Sequence, residues 1–339
     1  MLRRLKNWWF LIALAVLLAT GLWRSEDLAG PAAQAPRTAM IAVIMFLSAL
    51  PIDFSAFGRA RGAWPAVGLA VLLNAAAAPL LGWLVSLAAP AQIASGLVTG
   101  LVVATASPST LASGVVWTRR GGGNDGVAML VTLVTNLGCF AVMPFWLAMI
   151  LGSGSGVSDQ VSDVAPPNLL PKLLVCVVAP IVLAQLARRP PAVAAWAARH
   201  KPSLGLVAQI GVLGMSLLGA INAGQAVRSA GVSVGWVDGL AVIAATGAVH
   251  VALLLGGWRL ALSGGMGRPE AVAVAIAGSQ KTLAVGVGIA LEFGGLAIFP
   301  MIAYHVQQLL IDTLFADRMR RASPDAAAPA GADAAPTST

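Results

Sequence analysis

A lysine lies near the middle of an apolar run that is long enough to cross a bilayer, residues 270–290. A charge at that depth costs at least ~2.5–3.5 kcal/mol on insertion scales. Lys281 is therefore expected to face a protein-lined or wet interior instead of snorkelling to a membrane surface. Its neighbours Ser279, Gln280 and Thr282 supply polar partners, and Gly278 permits close backbone approach.

A second polar interruption lies in the apolar run 92–117, where the sequence reads Thr105-Ala-Ser-Pro-Ser-Thr110. Pro108 removes a backbone donor and opens the helix around it. The alternative is that the hydroxyl groups only hydrogen-bond the backbone groups that a proline kink leaves free. The matching interruption at Lys281 favours a site for an ion or a substrate group. The hydroxyl side chains around this break are Ser107, Ser109, Thr110 and Ser113.

Other polar residues inside apolar runs give weaker signals. His250 is interpreted as a packed interior residue, and Asp312 is expected at the membrane interface. The sequence shows no zinc-ligand spacing, nucleotide-binding loop or Ser/His/Asp arrangement, so neither a cofactor nor an enzymatic activity is predicted. The additional candidate residues for binding a substrate or an ion are Asn74, Asn124, Thr132, Asn136 and His305.

The composition indicates an all-α integral membrane protein. Of 339 residues, 58% are hydrophobic and 10% are charged, against about 25% charged in soluble domains. The net charge of +8 is assigned to cationic residues at cytoplasmic helix ends, which excludes a nucleic-acid partner and leaves the lipid bilayer. Ten spans are predicted, at about 8–23, 37–57, 64–88, 92–117, 126–151, 168–187, 203–226, 236–260, 270–290 and 294–315.

The distribution of Lys and Arg predicts the orientation. With the N-terminus inside, 16 of the 21 Lys and Arg residues fall on the cytoplasmic side. We therefore expect a multi-pass protein of the plasma membrane, the inner membrane of a bacterial cell, with both termini cytoplasmic. The first apolar run is read as a retained helix, not as a cleaved signal peptide. Residues 1–322 form the predicted transmembrane domain, and residues 323–339 a disordered cytoplasmic tail.

Five spans in each half predict an inverted repeat. An odd number of spans places the second half in the membrane upside down relative to the first. The repeats would cover about residues 8–151 and 168–318. The two polar interruptions fall in spans 4 and 9, which are the fourth spans of their halves.

The residues at both interruptions resemble those of a known family. The stretch Ala106-Ser-Pro-Ser-Thr-Leu-Ala-Ser113, with Gly122-Gly-Asn124, resembles the bile acid:sodium symporter superfamily. The stretch Gly278-Ser-Gln-Lys-Thr-Leu283, with Tyr304-His305, resembles its sodium/bile-acid-symporter-like branch, which is related to cation/proton antiporters. The similarity covers about residues 8–320. It implies panel and core domains, with broken helices 4 and 9 crossing in the core, and a substrate bound between the two domains.

The resemblance also implies where sodium would bind. Ser113 and Thr132 match ligands of one sodium site, while Gln280 matches the second site and Asn74 replaces a glutamine there. Other ligand positions depart from the family pattern, so the sodium sites look incomplete. Lys281 replaces an asparagine at the crossover. The remaining departures are Gly114 for asparagine, Ala128 for serine and Ile276 for glutamate.

Three functions stay open at this point. The first is secondary active transport of a small, anionic organic solute by alternating access, coupled to sodium or protons. The second is cation/proton exchange without an organic substrate, and the third is a regulatory membrane protein that has lost transport. Lys281 could carry a proton, bind the substrate or act as a fixed counter-charge. A large apolar vestibule between core and panel would favour an organic substrate.

Overall fold

The computed structural model describes residues 2–52, 62–88, 93–111, 113–151, 166–229 and 235–322. These residues form helices and no strands, which confirms the all-helical prediction for the described part of the chain. Arg59, Arg61 and the predicted tail 323–339 lie outside the described residues. Each of the ten apolar runs predicted from the sequence holds at least one helix.

Sixteen α-helices follow one another along the described residues, and short π-helical or 3₁₀ turns join a few of them. The first eight are α1 (Leu2–Trp23), α2 (Ala29–Ala33), α3 (Arg37–Ala49), α4 (Trp64–Leu72), α5 (Ala78–Leu87), α6 (Ser95–Ala106), α7 (Ser113–Arg120) and α8 (Asp125–Leu151). The others are α9 (Pro166–Leu173), α10 (Ala179–Ala187), α11 (Pro191–Arg199), α12 (Lys201–Ser229), α13 (Trp236–Ser263), α14 (Arg268–Ser279), α15 (Leu283–Ala290) and α16 (Ile298–Arg321).

Six helical segments of the described chain are long and apolar enough to cross a membrane. They differ in how far the protein itself covers them. The apolar window of Arg268–Phe293 is completely buried, whereas that of Trp236–Ser263 is only 28% buried. The segment that contains Lys281 is therefore enclosed by other helices, and the surface of α13 is left for lipid.

Both predicted helix breaks are present. The first separates α6 from α7, and Ser107 has an extended backbone with φ −64° and ψ 148°. Its position before Pro108 explains this conformation, because proline disfavours the helical region for the residue that precedes it. The second separates α14 from α15, with Gln280 extended at φ −71° and ψ 149°. This second break contains no proline, so contacts with other helices must stabilise it.

A π-helical turn between α4 and α5 leaves one carbonyl group without a helical donor. In this turn, Leu73–Ala77, the N–H of Ala78 donates to the carbonyl of Leu73. The next residue, Pro79, has no N–H to donate. The carbonyl oxygen of Asn74 is consequently free to accept a hydrogen bond from elsewhere. Turns of this kind occur frequently at functional sites.

An ion pair joins the ends of α7 and α16. The guanidinium of Arg120 donates from Nε and one terminal nitrogen to the two Asp317 oxygens, at 2.7 and 2.8 Å. Hydrogen bonding to Arg120 lowers the pKa of the Asp317 carboxyl group, and the same bond raises the pKa of the guanidinium. The first broken helix is thereby anchored to α16 at one end.

Glycines allow the backbone of a neighbouring segment to pack directly against some helices. A Cβ atom on Gly100 of α6 would lie 2.2 Å from the carbonyl oxygen of Ala297, which precedes α16. Gly68 of α4, in contrast, has no heavy atom within 4 Å of the corresponding position. The first position is therefore closed to any side chain, and the second is open.

We expect Gly100→Ala to destabilise the protein by about 1–3 kcal/mol, because backbone atoms of the next segment must move. Gly68→Ala is the matched control, and it should be neutral or stabilising because alanine favours the helix by about 1 kcal/mol. Thermal unfolding of the purified protein in detergent measures both variants. Equal melting temperatures for the two variants would contradict the predicted close packing.

Candidate functional site

The two helix breaks contact each other directly. The backbone N–H of Thr282 donates to the carbonyl of Pro108 over 2.8 Å. The hydroxyl of Ser109 donates to the carbonyl of Ala277 over 2.9 Å. Backbone groups that have no partner within their own broken helix are thus paired across the contact, as buried polar groups require.

Lys281 links this contact to the π-helical turn. Its side chain is fully buried, so the alternative of snorkelling to a surface is wrong. The ammonium group donates to the carbonyls of Asn74, at 2.7 Å, and of Ser107, at 2.9 Å. The first is the carbonyl left free beside Pro79, and the second follows the last residue of α6. A positive charge is favoured there by the helix dipole.

Every carbonyl from residue 277 to 281 has a partner. Ser109 binds the first, and the amide nitrogen of Asn74 donates to those of Gly278, at 3.3 Å, and Gln280, at 2.8 Å. The Tyr304 hydroxyl donates to the carbonyl of Ser279 over 2.8 Å. The amide of Gln308 donates to the carbonyl of Lys281 over 2.9 Å and accepts its N–H over 2.8 Å. Side chains of neighbouring helices therefore hold the second break open.

Asn136 of α8 supports the first break. Its amide nitrogen donates to the carbonyls of Ser109 and Thr132, both at 2.7 Å. Two other predicted site residues, one at each break, bond to the preceding helical turn. The hydroxyl of Ser107 donates to the carbonyl of Val103, and that of Ser279 donates to the carbonyl of Ile276.

A small cluster of oxygen atoms lies where the two breaks meet. The hydroxyl of Thr110 is 2.5 Å from that of Ser113 and donates to the side-chain oxygen of Gln280 over 2.7 Å. Ser113 also donates to this oxygen, over 3.2 Å. We call Thr110, Ser113 and Gln280 the oxygen cluster. Two predicted sodium ligands, Ser113 and Gln280, lie in it.

The other two predicted sodium ligands direct their polar groups elsewhere. The Thr132 hydroxyl donates to the carbonyl of Met129 over 2.9 Å. The amide nitrogen of Asn74 binds the backbone of the second break. Thr132 is nevertheless near the oxygen cluster, since its methyl carbon would lie 3.5 Å from a Cβ on Gly114.

Two predicted site residues lie apart from the meeting point of the breaks. Asn124 accepts from the N–H groups of Gly126 and Val127, at 3.1 and 3.2 Å, so it caps α8. Its amide also donates to Glu270. His305 is buried against the amide of Gln308, 2.9 Å away, and stacks edge-on with Phe10.

Asp312 is a functional candidate that the sequence reasoning missed. It was expected at the interface, but the structure buries it completely. Its carboxylate accepts from Gln280 Nε2 over 2.6 Å and contacts His250 Nε2 at 3.0 Å. The spacing of Tyr304, Gln308 and Asp312, one helical turn apart, was the signal that could have identified this polar face of α16. His250 is buried, as predicted.

An apolar cavity of about 270 Å³ lies between α5, α6, α13 and α16. Thr246 borders it, and the hydroxyl of this residue accepts a hydrogen bond from Gln307 over 2.7 Å. Most of the lining is aliphatic, as with Leu97, Leu101 and Val242. The first half of the first broken helix therefore forms one wall of a space that suits an apolar group.

Helices that break inside an apolar bundle and meet through polar groups are typical of secondary transporters built on discontinuous helices. Residues 7–321 match the SBF-like CPA transporter family, and the chain belongs to this family. The predicted relationship to the bile acid:sodium symporters is thereby confirmed. Family membership also makes the chain a multi-pass membrane transporter and not an enzyme.

Curated relatives are 27–28% identical to this chain over the aligned residues. It is 28% identical over 304 residues to the probable sodium/metabolite cotransporter BASS4, chloroplastic, of Arabidopsis thaliana, covering 83% of this chain and 65% of the relative. It is 27% identical over 301 residues to the protein of the same name from Oryza sativa subsp. indica, covering 82% and 67%. The chain thus spans about two thirds of these relatives.

We expect Gln308→Leu to destabilise the protein by about 2 kcal/mol or more. The substitution leaves the N–H and carbonyl of Lys281 buried without partners, and each such group costs about 1–3 kcal/mol. Gln307→Leu, on the half-buried neighbour, is the control and should cost less. The melting temperatures of the two variants are compared by thermal unfolding in detergent. A larger decrease in melting temperature for Gln307→Leu would show that Gln308 does not hold the break open.

Proposed function

We propose that this chain is a secondary active transporter that moves a small, anionic organic solute by alternating access, coupled to a cation. Ten spans would form two inverted five-helix repeats, arranged as a panel and a core. The observation that carries the proposal is the Lys281 ammonium, which binds the carbonyl of Ser107 at the first break and the carbonyl of Asn74 in the π-helical turn. Motion of the core relative to the panel would expose this region to each side in turn.

The charge on Lys281 supports an anionic solute. The hydrogen bonds of its ammonium group in the described structure go to two carbonyl oxygens, which stabilise the charge without neutralising it. A buried positive charge lowers the free energy of a nearby anion. The same ammonium also does the structural work of a bound cation, because it holds together the negative ends of backbone dipoles.

The apolar cavity supports an organic solute over ion exchange alone. Bare cations need oxygen ligands, whereas this cavity is lined mostly by aliphatic side chains. The relatives named as probable sodium/metabolite cotransporters agree with a metabolite as the solute and with sodium as the coupling ion. Protons are the other candidate for coupling.

Charge placement supports the proposed orientation, with both termini in the cytoplasm. The end of α16 carries Arg318, Arg320 and Arg321, and the end of α7 carries Arg119 and Arg120. Cationic residues concentrate on the cytoplasmic side of membrane proteins. The proposed location is the plasma membrane; the relatives carry the description chloroplastic.

Uptake into proteoliposomes tests the proposal. The purified full chain is reconstituted and given an inward sodium gradient, an inward proton gradient or neither, against a panel of radiolabelled organic anions. We expect at least one anion to accumulate under one of the two gradients. Sodium–proton exchange without organic uptake would instead identify a cation/proton exchanger, and no flux of any kind would favour a regulatory protein.

We expect Lys281→Met and Lys281→Gln to reduce transport at least tenfold, because both remove the charge, and Lys281→Met also leaves two buried carbonyls without their donor. Lys201→Gln, at the exposed start of α12, is the control and should transport normally. Initial uptake rates are compared at equal amounts of reconstituted, monodisperse protein. Normal uptake by folded Lys281→Met would rule out the proposed role of Lys281.

A further inference from the structure

Contacts between helices divide most of the described chain into two groups. In the first group, α1 packs against α12, α12 against α3, and α3 against α10. The second group surrounds the two breaks and contains α4 to α8 and α13 to α16. The groups meet through apolar contacts, since the side chains of Ile41 in α3 and Met215 in α12 lie directly against Gly288 of α15. Contacts of this kind include no hydrogen bond that must break when the groups move.

One ion pair joins the two groups. Lys172 lies in α9, which continues into α10 of the first group, and Glu292 lies in the 3₁₀ turn after α15. The lysine Nζ is 2.5 Å from a carboxylate oxygen, and the two side chains are only 22% and 29% exposed, so solvent screens their attraction weakly. The other ion pairs between described residues each stay within one group or one turn.

The ion pair lies at one end of a helical segment that crosses the bundle. This segment, Arg268–Phe293, contains α14 and α15 and has Glu292 at its end. At the start of the segment, the guanidinium of Arg268 donates to the carbonyl of Met319, in the arginine-rich last turn of α16. That end of α16 is cytoplasmic in the proposed orientation. Lys172 and Glu292 therefore lie on the extracytoplasmic side.

The helix that carries Lys172 has a weak point directly after this residue. The lysine lies in the last turn of α9, and the π-helical turn Leu174–Val178 follows. In this turn the N–H of Ala179 donates to the carbonyl of Leu174, and Pro180 has no N–H to donate. Helices bend at prolines and at π-helical turns. Helix α9 can therefore change its angle while α10 stays packed against α3.

We propose that the Lys172–Glu292 ion pair is a latch that holds the two helix groups together at the extracytoplasmic end, and that α9 moves about the π-helical turn when the latch opens. Removal of either partner leaves the other charge unpaired in mostly apolar surroundings. The open arrangement, in which water reaches that charge, then becomes more populated. The role of the latch in alternating access rests on the transport function proposed for the chain, but its opening does not.

The thiol of Cys176 measures the opening of the latch without any transport. This residue is buried in the π-helical turn, one helical turn after Lys172. The chain has two cysteines, so Cys139→Ala leaves Cys176 as the only thiol. In this background the purified full chain is treated with a water-soluble maleimide, and the labelling rate is measured. We expect Lys172→Gln and Glu292→Gln each to raise this rate about fivefold or more.

Two further variants separate the latch from a general loss of packing. Lys172→Glu combined with Glu292→Lys exchanges the charges and should return the labelling rate to within about twofold of the background rate. Arg228→Gln is the matched control, because it removes the ion pair with Glu26 inside the first group. It should leave the rate unchanged.

Three results of the labelling experiment would overturn the proposal. They are an unchanged rate in the single variants at Lys172 and Glu292, an equal rise in Arg228→Gln, and no restoration by the exchange of charges. If one of the two single variants does not fold, the other decides the first of these.

Cross-linking separates the latch from the transport proposal. The two positions are changed together, as Lys172→Cys and Glu292→Cys, in a chain without its native cysteines, and are joined by a bifunctional thiol reagent as long as the ion pair. In proteoliposomes that take up an anion, this reagent should reduce uptake about tenfold or more, and a monofunctional reagent should not. Faster labelling of Cys176 in the latch variants without uptake by the natural protein would uphold the latch and refute transport. Full uptake after cross-linking would refute the latch alone.

Discussion

The structure depends on satisfying backbone groups that two broken helices leave unpaired inside an apolar bundle. Neither water nor lipid can serve these groups at that depth, so other parts of the chain must. The Lys281 ammonium serves two of these groups at once, because it binds the carbonyl of Ser107, after α6, and the carbonyl of Asn74, which Pro79 leaves without a donor. Side chains of other segments serve further groups at the breaks: those of Asn74, Ser109, Asn136, Tyr304 and Gln308.

The residues that satisfy this constraint are also those for which a role in transport is proposed. A break that exposes carbonyls and hydroxyls can bind an ion or a solute only if it stays open when nothing is bound. Lysine and the amides keep it open. Their contacts come from different helices, so a movement of one helix must change several hydrogen bonds together. The proposed alternating access would need a two-state element of this kind, in which one set of contacts replaces another.

The sequence predicted more of the fold than of the site. Apolar runs and charge placement located the helices, and Pro108 with the serines around it located the first break. Asp312 was missed because its position near the end of an apolar run suggested the interface. Periodicity alone gives the face of a helix, and it does not say whether that face meets lipid or protein. For Asp312 the packing of this face of α16 decided it, since the carboxylate contacts Gln280 and His250.

By itself, the sequence determined a membrane-spanning helical protein, two helix interruptions and a family, because these depend on local composition and short motifs. Only the tertiary structure decided which polar groups meet. It paired Lys281 with Asn74, 207 positions away, and Gln280 with Thr110, 170 positions away. Contacts at such separations follow from how helices pack, which no local pattern encodes. The partners of Asp312 belong to the same group of long-range contacts, and the oxygen cluster exists only where the two breaks meet.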